Sequence, residues 1–367
     1  MYMTAQQSCR IGAAVDLGST TIAIRCVDLI AGERIMETSV ANPQCRYGAD
    51  VITRIQHCLQ DEEMATKLRD IVWSALQEQL EQTLQEDMQY LDQIVISGNT
   101  TMQHILRGLS VKGLAKAPFH PVDLHEAEEI HTWNDQKIVI HYLPGLSAFV
   151  GADILSGAAY LQMGISRTYD LLVDLGTNGE LLLLNNQHGY ASSTACGPVF
   201  DHVLSGAVYG SESIHAIANC VKRHLIDVNG LIAAPFFEKG IVIDRNFVIK
   251  QQNVRNFQLA KGAIYAGICC LVEEAAIDWE EIQNVYISGG MGFYMDVRDT
   301  FTVGLLPDEL KGKIIISGNS SLEGATMFLR DPHNMRETCC AIKERTKCLE
   351  LANLPQFQTR YLEAMNF

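Results

Sequence analysis

Two stretches of the sequence are nearly alike, AVDLGST at residues 14–20 and LVDLGTN at residues 172–178. In each, an apolar stretch ends at an aspartate, and a glycine-containing turn leads directly into a second apolar stretch. This pattern predicts a strand hairpin, and it has neither the GxxxxGKS/T sequence of a P-loop nor the helix that follows a dinucleotide fingerprint. One such turn alone would be an ordinary hairpin. Its repetition at matched positions indicates a duplicated architecture.

A second repeat supports the duplication. IVISGNTTM at residues 94–102 returns as VYISGGMGF at residues 285–293 and again as IIISGNSSL at residues 314–322. Each half therefore has the same order of a strand meander, helices, a strand ending in Ser-Gly, and a helix. We predict an α/β protein of two lobes, with duplicated mixed sheets flanked by helices. The first domain is expected over residues 1–165 and the second over residues 166–367.

Hydrophobic periodicity predicts the elements of the first half. Apolar residues at three-to-four spacing predict helices over residues 48–59 and 61–88. The weakly patterned segment 112–135 is interpreted as a long surface connection. Runs of β-branched and apolar residues predict three strands, at residues 11–17, 21–28 and 33–40.

The composition restricts the class of protein. The 367 residues carry a formal net charge of −15, which argues against a nucleic-acid or anionic-membrane surface because either needs clustered Lys and Arg. No apolar run reaches the roughly 18 residues of a membrane span, and no secretory h-region is present, so we expect a cytoplasmic protein. The 11 cysteines include no CxxC pair, which indicates reduced thiols rather than disulfides, structural zinc or an iron–sulfur cluster.

The two hairpins have the chemistry of a phosphate and Mg²⁺ site. Backbone amides at a glycine turn can face phosphate oxygens, and a strand-end carboxylate can hold Mg²⁺ directly or through its waters. We predict that Asp16 and Asp174 bind the metal and act in catalysis. Glu180 either positions the attacking water or is an exposed hairpin carboxylate. The predicted nucleotide contacts are Gly18, Ser19, Thr20, Thr21, Gly176, Thr177, Asn178 and Gly179.

A third candidate is the glycine-rich loop that follows the predicted strand at residues 285–287. Its glycines would let the backbone approach a flat adenine or ribose at the start of a helix, and the alternative is a plain strand-to-helix turn. The predicted contacts are Ser288, Gly289, Gly290 and Gly292. With the two hairpins, this loop predicts ATP and Mg²⁺ bound between the repeated turns.

Several other polar residues have simpler explanations. Asp50 and Arg54, one helical turn apart, favour an ion pair on a helix face over a contact across the nucleotide cleft. His104 lies in a predicted helix, which favours a packed or capped histidine over a metal ligand. A metal site is also disfavoured for four residues that lack the HExxH spacing, His120, His125, Glu126 and His131.

These motifs resemble the superfamily of acetate and sugar kinases, heat-shock chaperones and actin, whose phosphate-1, phosphate-2 and adenosine motifs match residues 16–21, 174–180 and 288–292. More narrowly, the chain is similar to the actin-like domain of the reductive activators of corrinoid proteins. The resemblance implies an actin-like, ribonuclease H-like fold. It extends over nearly the whole chain, through NPQ (42–44), YGADVITRI (47–55), GNTTM (98–102), PG (144–145), FVGAD (149–153), GPVF (197–200) and GNSSLEGA (318–325).

The resemblance also implies a function. Members of this family use ATP to help return an inactivated cob(II)alamin to cob(I)alamin on a partner protein, with electrons from an iron–sulfur module joined to the same chain. This sequence begins almost at the first predicted strand and carries no ferredoxin cysteines. We therefore expect a Mg²⁺-dependent ATPase without a cluster of its own, which acts on the corrinoid protein of a methyl-transfer system with a separate ferredoxin-like electron donor. A homodimer is also expected.

Three alternatives stay open. The first is a small-molecule kinase of the same fold, and the second is a non-catalytic nucleotide sensor. The third follows from the related activators of 2-hydroxyacyl-CoA dehydratases, in which cysteines near the place of Cys196 bridge one iron–sulfur cluster between two subunits. Because one cysteine per chain supplies only two ligands per dimer, a buried Cys196 thiol is the favoured interpretation.

Overall fold

The two strands that end in the repeated aspartates lie inside two separate sheets. The computed structural model describes residues 10–133, 135–194, 196, 210–245, 247–289 and 295–367, with only the backbone described at residues 62, 210 and 211. The chain divides into two compact units. The first comprises Met1–Tyr160 and Ser321–Ala341, and the second comprises Leu161–Ser320 and Ile342–Phe367. A segment far along the sequence thus completes the first unit.

The elements alternate between strands and helices through both units. The strands are β1 (Ile11–Leu17), β2 (Thr21–Asp28), β3 (Arg34–Ala41), β4 (Leu91–Gly98), β5 (Ala127–Trp133), β6 (Gln136–Tyr142), β7 (Tyr169–Leu175), β8 (Gly179–Leu184), β9 (Gly189–Thr194), β10 (Ile241–Val242), β11 (Val248–Ile249), β12 (Ile282–Ser288), β13 (Ile314–Gly318) and β14 (Thr346–Cys348). The helices are α1 (Val51–Gln60), α2 (Glu62–Leu84), α3 (Thr100–Leu106), α4 (Ala152–Tyr160), α5 (Gly210–Lys222), α6 (Gln251–Ala275), α7 (Val297–Thr302), α8 (Ser320–Arg330), α9 (Pro332–Arg345) and α10 (Pro355–Glu363).

The first unit is built on a six-stranded mixed sheet with the order β3-β2-β1-β4-β6-β5. The strands β1, β4 and β6 are parallel, whereas β2 and β3 form the predicted antiparallel meander with β1. β1 is apolar except for Asp16, because its other side chains are buried in the core of the unit. A strand buried in this way reads as a near-continuous apolar run.

The second unit repeats this arrangement. Its six-stranded sheet has the order β13-β12-β7-β8-β9-β14, in which β7, β12 and β13 are parallel and β8 and β9 form the meander. The order β9-β8-β7-β12-β13 therefore corresponds to β3-β2-β1-β4-β6 of the first unit. This correspondence confirms the duplication predicted from the two sequence repeats.

The helices bury apolar stripes against these sheets. In α2, the residues at four-residue spacing from Leu68 to Leu84 are buried in the core of the first unit, and the Glu and Gln side chains between them face solvent. α1 begins at an N-cap, Asp50, whose carboxylate accepts the Thr53 N–H at 2.8 Å. No described helix is both long enough and apolar enough to cross a membrane.

The interpretation of residues 112–135 as a surface connection was wrong for its last part. Residues Ala127–Trp133 form β5, which pairs antiparallel with β6 from Ala127 opposite Tyr142 to Trp133 opposite Gln136. The strand was missed because it is an edge strand in which exposed Glu, Ile and Thr side chains alternate with partly buried ones. The polar residues conceal the two-residue period.

Candidate functional site

The first predicted metal ligand, Asp16, lies near the carboxyl end of β1. It is half-buried, and in the parallel pairing of β1 with β4 it stands opposite Ser97. The Ser321 hydroxyl donates to Asp16 Oδ1 at 2.7 Å. The carboxyl ends of parallel strands form one edge of the sheet, which is the usual position of ligand sites in α/β folds.

The turn after Asp16 is closed by a hydrogen bond from Gly18 N to Thr21 O at 3.0 Å. A Cβ atom at Gly18 would lie only 2.7 Å from Thr21 O, so the turn requires glycine at this position. Ser19 is buried, Thr20 is half-buried and Thr21 is exposed. The turn thus has both a buried side and an accessible side.

Three side chains hold the buried side of this turn. Asn42 Nδ2 donates to Gly18 O at 2.8 Å, and Asn99 Nδ2 donates to Ser19 Oγ at 3.0 Å. The fully buried Arg54 donates to Ser19 O through its guanidinium group. These contacts give the turn a fixed backbone, which a phosphate-binding loop needs for preorganised binding.

The ion pair expected between Asp50 and Arg54 on a helix face is wrong. Asp50 caps α1, whereas the Arg54 side chain points inward and donates to the carbonyls of Ser19 and Gly48 and to Gln44 Oε1. Burial lowers the pKa of Arg54, against the opposing effects of Cys45 and Asp50. Asp50 has an extended backbone and precedes the first helical residue, Val51, so the two side chains do not share a helix face.

Asp153 is a site residue that the sequence analysis missed as a functional group. It lies at the second position of α4, and its Oδ1 accepts the Ile154 N–H at 2.9 Å. Burial, followed by the nearby negative charge of Asp16, raises the pKa of Asp153 to about 7. The available signal was the FVGAD motif, whose aspartate stands in the first turn of a helix, where carboxylates and other anions are favoured.

Two glycines allow this part of the first unit to pack closely. A Cβ atom at Gly98 would lie 2.6 Å from Leu17 O, and one at Gly151 would lie 2.5 Å from the Asn99 Cα atom. The start of α4 therefore packs directly on the turn that follows β4, and this turn packs on the end of β1. Asp16 and Asp153 form an acid pair at this place.

The Asp16 carboxylate fits Mg²⁺. Mg²⁺ takes one or two hard carboxylate ligands in proteins, together with phosphate oxygens and water. Among the described residues, no group of three or more His, Cys, Asp or Glu side chains could hold a metal ion alone. Oxygens from a bound phosphate and from water would therefore have to complete the coordination.

In the second unit, Asp174 occupies the position that corresponds to Asp16. It is half-buried near the end of β7, opposite Ser288 of parallel β12 and opposite Glu180 of antiparallel β8. Directly opposed residues of an antiparallel pair project from the same face of the sheet, so the two carboxylates are neighbours. Glu180 is buried, and its interpretation as an exposed hairpin carboxylate was therefore wrong.

The second turn differs from the first in its geometry. Gly176 N donates to Asn178 O at 3.0 Å, Thr177 is buried and Asn178 is half-buried. Gly179 begins β8, and a Cβ atom there would lie 2.7 Å from Thr194 Oγ1 and 2.9 Å from Cys196 Sγ. A glycine at residue 179 is therefore required by packing inside the unit.

The predicted adenosine loop is described only at its start. Ser288 is buried, and its hydroxyl contacts Ser320 Oγ at 2.7 Å. Gly289 has a φ of +101°, and a Cβ atom there would lie 2.5 Å from Leu175 O and 2.9 Å from Asp174 Oδ1. Gly290 and Gly292 lie outside the described residues.

The remaining candidates have structural roles. His104 is the packed histidine that the sequence favoured: its Nδ1 contacts Thr100 O at 2.8 Å, and its Nε2 accepts the Val122 N–H at 3.0 Å. Cys196 is a buried thiol, with Sγ 3.1 Å from Thr194 Oγ1. In the segment with four potential metal ligands, Glu126 forms a bidentate ion pair with Arg336.

Comparison with known proteins decides the family. Residues 11–166 match the family model described as the RACo middle region, and residues 201–367 match the model described as the C-terminal domain of RACo, the ASKHA domain. The chain belongs to the RACo family. The actin-like resemblance predicted from the motifs is thereby confirmed.

Individual RACo-like proteins agree with this assignment. The corrinoid activation enzyme RamQ of Eubacterium limosum is 29% identical, over 96% of this chain and 69% of that protein. A reductase of the Co(II) methylated amine-specific corrinoid protein from Methanosarcina barkeri is 21% identical, over 97% of this chain and 77% of that protein. The solved structure of a reductive activator for a corrinoid iron–sulfur protein superposes with a TM-score of 0.89 at 27% identity, and covers 99% of this chain and 67% of that one. The actin-like fold class is thus confirmed.

Proposed function

We propose that this RACo-family protein binds and hydrolyses Mg-ATP and couples nucleotide state to the reductive activation of a corrinoid protein. The proposal rests on the duplicated site. Each unit has a half-buried aspartate near the end of its central strand, a glycine turn after it, and a second carboxylate beside it. The three relatives, each described as a corrinoid-activating protein or corrinoid-protein reductase, support the choice of partner.

In this proposal each hairpin has a binding task. The backbones of Gly18–Thr21 and Gly176–Gly179 would contact phosphate oxygens, and Asp16 and Asp174 would hold Mg²⁺ directly or through water. Because Ser288 is fully buried, the glycines that follow it would make the contacts to the adenosine. When bound, Mg²⁺ would neutralise developing charge on the phosphoryl oxygens. The buried Asn42, Asn99 and Arg54 contacts keep the first turn in one shape before ATP arrives.

The second carboxylate of each pair supplies the proton chemistry. We assign Asp153 as the proton acceptor, because it lies beside Asp16 at the start of α4, where burial and the negative charge of Asp16 raise its pKa. In the first unit, the carboxylate of Asp153 would take the proton of the attacking water, and Glu180 is the second unit's candidate for positioning a water. The products are ADP, phosphate and the proton left on Asp153.

The cellular location, the oligomeric state and the electron donor also belong to the proposed function. We propose a cytoplasmic homodimer that receives electrons from a separate ferredoxin-like donor and acts within a methyl-transfer system. Most of the described cysteines are buried, and none of those described forms a disulfide, which supports a reducing compartment. Electrons from the donor would reduce cob(II)alamin to cob(I)alamin on the partner, and ATP would bias the conformation that docks.

The experiment measures ATP turnover by the protein alone, with candidate metabolites, and with a purified corrinoid protein plus a reduced ferredoxin. Turnover and cob(I)alamin formation that both depend on the corrinoid protein are expected, the latter followed by visible absorbance. Phosphorylation of a metabolite would instead establish a small-molecule kinase. ATP binding without turnover under every condition would establish a nucleotide sensor.

A binding experiment tests the coupling itself. The corrinoid protein is titrated against the chain without nucleotide, with ADP, and with a non-hydrolysable ATP analogue. Couplings of this kind are typically about 5- to 150-fold in affinity, and linkage requires the partner to change nucleotide affinity by the same factor. Equal affinities in all three nucleotide states would contradict an activator in which ATP controls docking.

A further inference from the structure

Ser321 lies at the second position of α8, and its hydroxyl reaches Asp16. Its Oγ is 2.7 Å from Asp16 Oδ1 and 2.9 Å from Ser97 Oγ, and Ser97 Oγ lies 3.0 Å from Ser156 Oγ. All three serines are buried. They form a line of hydroxyl groups, here called the serine line, that ends at the carboxylate of Asp16.

The direction of the hydrogen bonds in the serine line follows from the groups that form it. An ionised carboxylate only accepts, and each hydroxyl has one proton to donate. Ser321 therefore gives its one proton to Asp16, and the Oγ atoms of Ser97 and Ser156 follow behind it at hydrogen-bonding distances. Because a hydroxyl–carboxylate bond is charge-assisted, it is stronger than a bond between neutral groups and favours one orientation of the carboxylate.

Two residues that follow Ser321 fix the start of α8 within the first unit. Gly324 packs so closely on Ser156 that a Cβ atom at residue 324 would overlap the Ser156 carbonyl group. Glu323 accepts from both terminal nitrogens of Arg25, at 2.7 Å each. The helix cannot move its first turn away from Asp16 without breaking these contacts, so the Ser321 hydroxyl is held in place.

We propose that Ser321 is a positioning residue for Asp16, and that its hydroxyl fixes the orientation in which the Asp16 carboxylate meets Mg²⁺ and phosphate. The proposal rests on the proposed Mg-ATP function. Ser321 itself touches neither the nucleotide nor the reacting atoms. Residues that orient a metal ligand by hydrogen bonding typically change metal affinity or activity by about 10- to 100-fold when removed.

The test is calorimetric titration of the whole chain with a non-hydrolysable ATP analogue, once with Mg²⁺ and once with EDTA. We expect Ser321→Ala to weaken binding roughly tenfold with Mg²⁺ and to leave binding in EDTA unchanged. Ser321→Thr, which keeps the hydroxyl, should restore most of the Mg²⁺-dependent affinity. If the substitution instead disturbed the fold in general, affinity for the analogue would fall both with Mg²⁺ and with EDTA.

Thr326→Val is the matched control. Thr326 lies on the same helix and is as buried as Ser321. Its hydroxyl donates to Leu322 O and accepts a long bond of 3.4 Å from Arg25, whose bonds to Glu323 remain in the variant, and it does not belong to the serine line. This variant should bind like the parent in both conditions. If Ser321→Ala does not fold, Ser156→Ala removes the far end of the serine line and should give a smaller loss that is again confined to Mg²⁺.

The outcomes separate the two proposals. If the parent chain binds the analogue and Ser321→Ala shows the same Mg²⁺ dependence as the parent, the role of Ser321 is overturned. The same holds for Ser156→Ala where that variant is used. A parent chain that binds no analogue overturns the Mg-ATP function, and with it the inference that depends on it.

Discussion

The two units set their central aspartates in the same strand framework but surround them with different groups. Asp16 stands opposite Ser97, and Asp174 stands opposite Ser288, each across a pair of parallel strands. The glycine after each serine packs on the residue after each aspartate, with Cβ clearances of 2.6 Å and 2.5 Å from the carbonyl oxygens of Leu17 and Leu175. The backbone framework is therefore duplicated in detail.

The side chains around that framework are not duplicated. In the first unit, a hydroxyl from α8 reaches the aspartate, and the second carboxylate comes from the start of a helix. In the second unit, the Ser288 hydroxyl contacts Ser320, and the second carboxylate, Glu180, comes from the hairpin itself. The strand framework around each aspartate, here called its frame, is therefore repeated, whereas the side chains that surround each aspartate differ between the two units.

The largest expected effect distinguishes the two second carboxylates. Asp153→Asn should lower kcat for ATP hydrolysis by about 100-fold or more, because removing a general base typically costs that much, while nucleotide affinity changes little. Glu180→Gln, which keeps the size of its side chain, should lower kcat by about tenfold. Steady-state turnover with the corrinoid partner measures both. A larger loss in Glu180→Gln than in Asp153→Asn would move the proton acceptor to the second unit.

The next effect compares the two aspartates. Asp16→Ala and Asp174→Ala should each lower ATPase activity about tenfold or more, since each removes one metal-positioning group from the site. Both carboxylates are half-buried strand-end groups outside the apolar cores, so the circular dichroism spectrum should not change. Unchanged turnover in both variants would contradict the assignment of the hairpins to Mg-ATP.

A smaller effect tests the equivalence of the two frames. Gly98→Ala and Gly289→Ala should each lower the free energy of unfolding by about 2–4 kcal/mol, because both place a methyl group against a backbone carbonyl at positive φ. Gly312→Ala is the control: it also has positive φ, but nothing lies within 4 Å of the added atom, so about 1–2 kcal/mol is expected. Thermal and urea unfolding provide the values. A decrease in the free energy of unfolding at only one of the two glycines would mean that the strand frameworks of the two units are not equivalent.

The smallest effect concerns the first unit alone. Burial lowers the pKa of His104 below its ordinary value of 6.5, so the neutral ring is favoured in the folded state. The contribution of His104 to the free energy of unfolding is complete above the pKa of the histidine in the unfolded chain, and it is lost as the pH falls toward the lower pKa of the folded state. Protonation of Nε2 also removes the acceptor of the Val122 N–H. Thermal unfolding measured from about pH 7.5 to about pH 5.5 should show this decrease.

A pair of variants checks the histidine prediction. His104→Gln should be less stable at neutral pH and should show a weaker dependence on pH than the parent. His188→Gln, at an exposed position of the second unit, should keep the pH dependence of the parent. An unchanged slope in His104→Gln would show that other groups cause the acid sensitivity.

Much of the fold could be predicted because it is encoded locally. The strands β1 and β2 were predicted with the observed bounds, and the repeats fixed the equivalence of the two halves. β5 escaped because an edge strand with polar side chains has little apolar pattern. The contribution of residues 321–341 to the first unit could not be predicted, since no local signal states which sheet a helix packs on.

The site residues of the two Asp-Leu-Gly motifs could be predicted from the sequence, whereas the residues that pack beside them could not. Asp16 and Asp174 lie in nearly identical sequence motifs, and the two residues lie at corresponding positions of their sheets. Asp153 has no repeated partner, and Ser321 lies in the last copy of the Ser-Gly repeat. The proximity of both residues to Asp16 depends on packing between segments more than 130 residues apart in the sequence. Arg54 was noticed for its helical spacing, but its buried contact with Ser19 depends on the same kind of packing.

The discontinuous composition of the first unit sets an order of events during protein synthesis. Residues up to Tyr160 leave the ribosome long before Ser321, and at roughly 5–20 residues per second the interval lasts on the order of 10–30 s. Throughout that time Asp16 lacks the Ser321 hydroxyl, and Arg25 lacks Glu323. The nascent first unit therefore lacks the helix that reaches Asp16 until most of the second unit has been translated. The end of β1 that carries Asp16 is among the last parts of the protein to be completed.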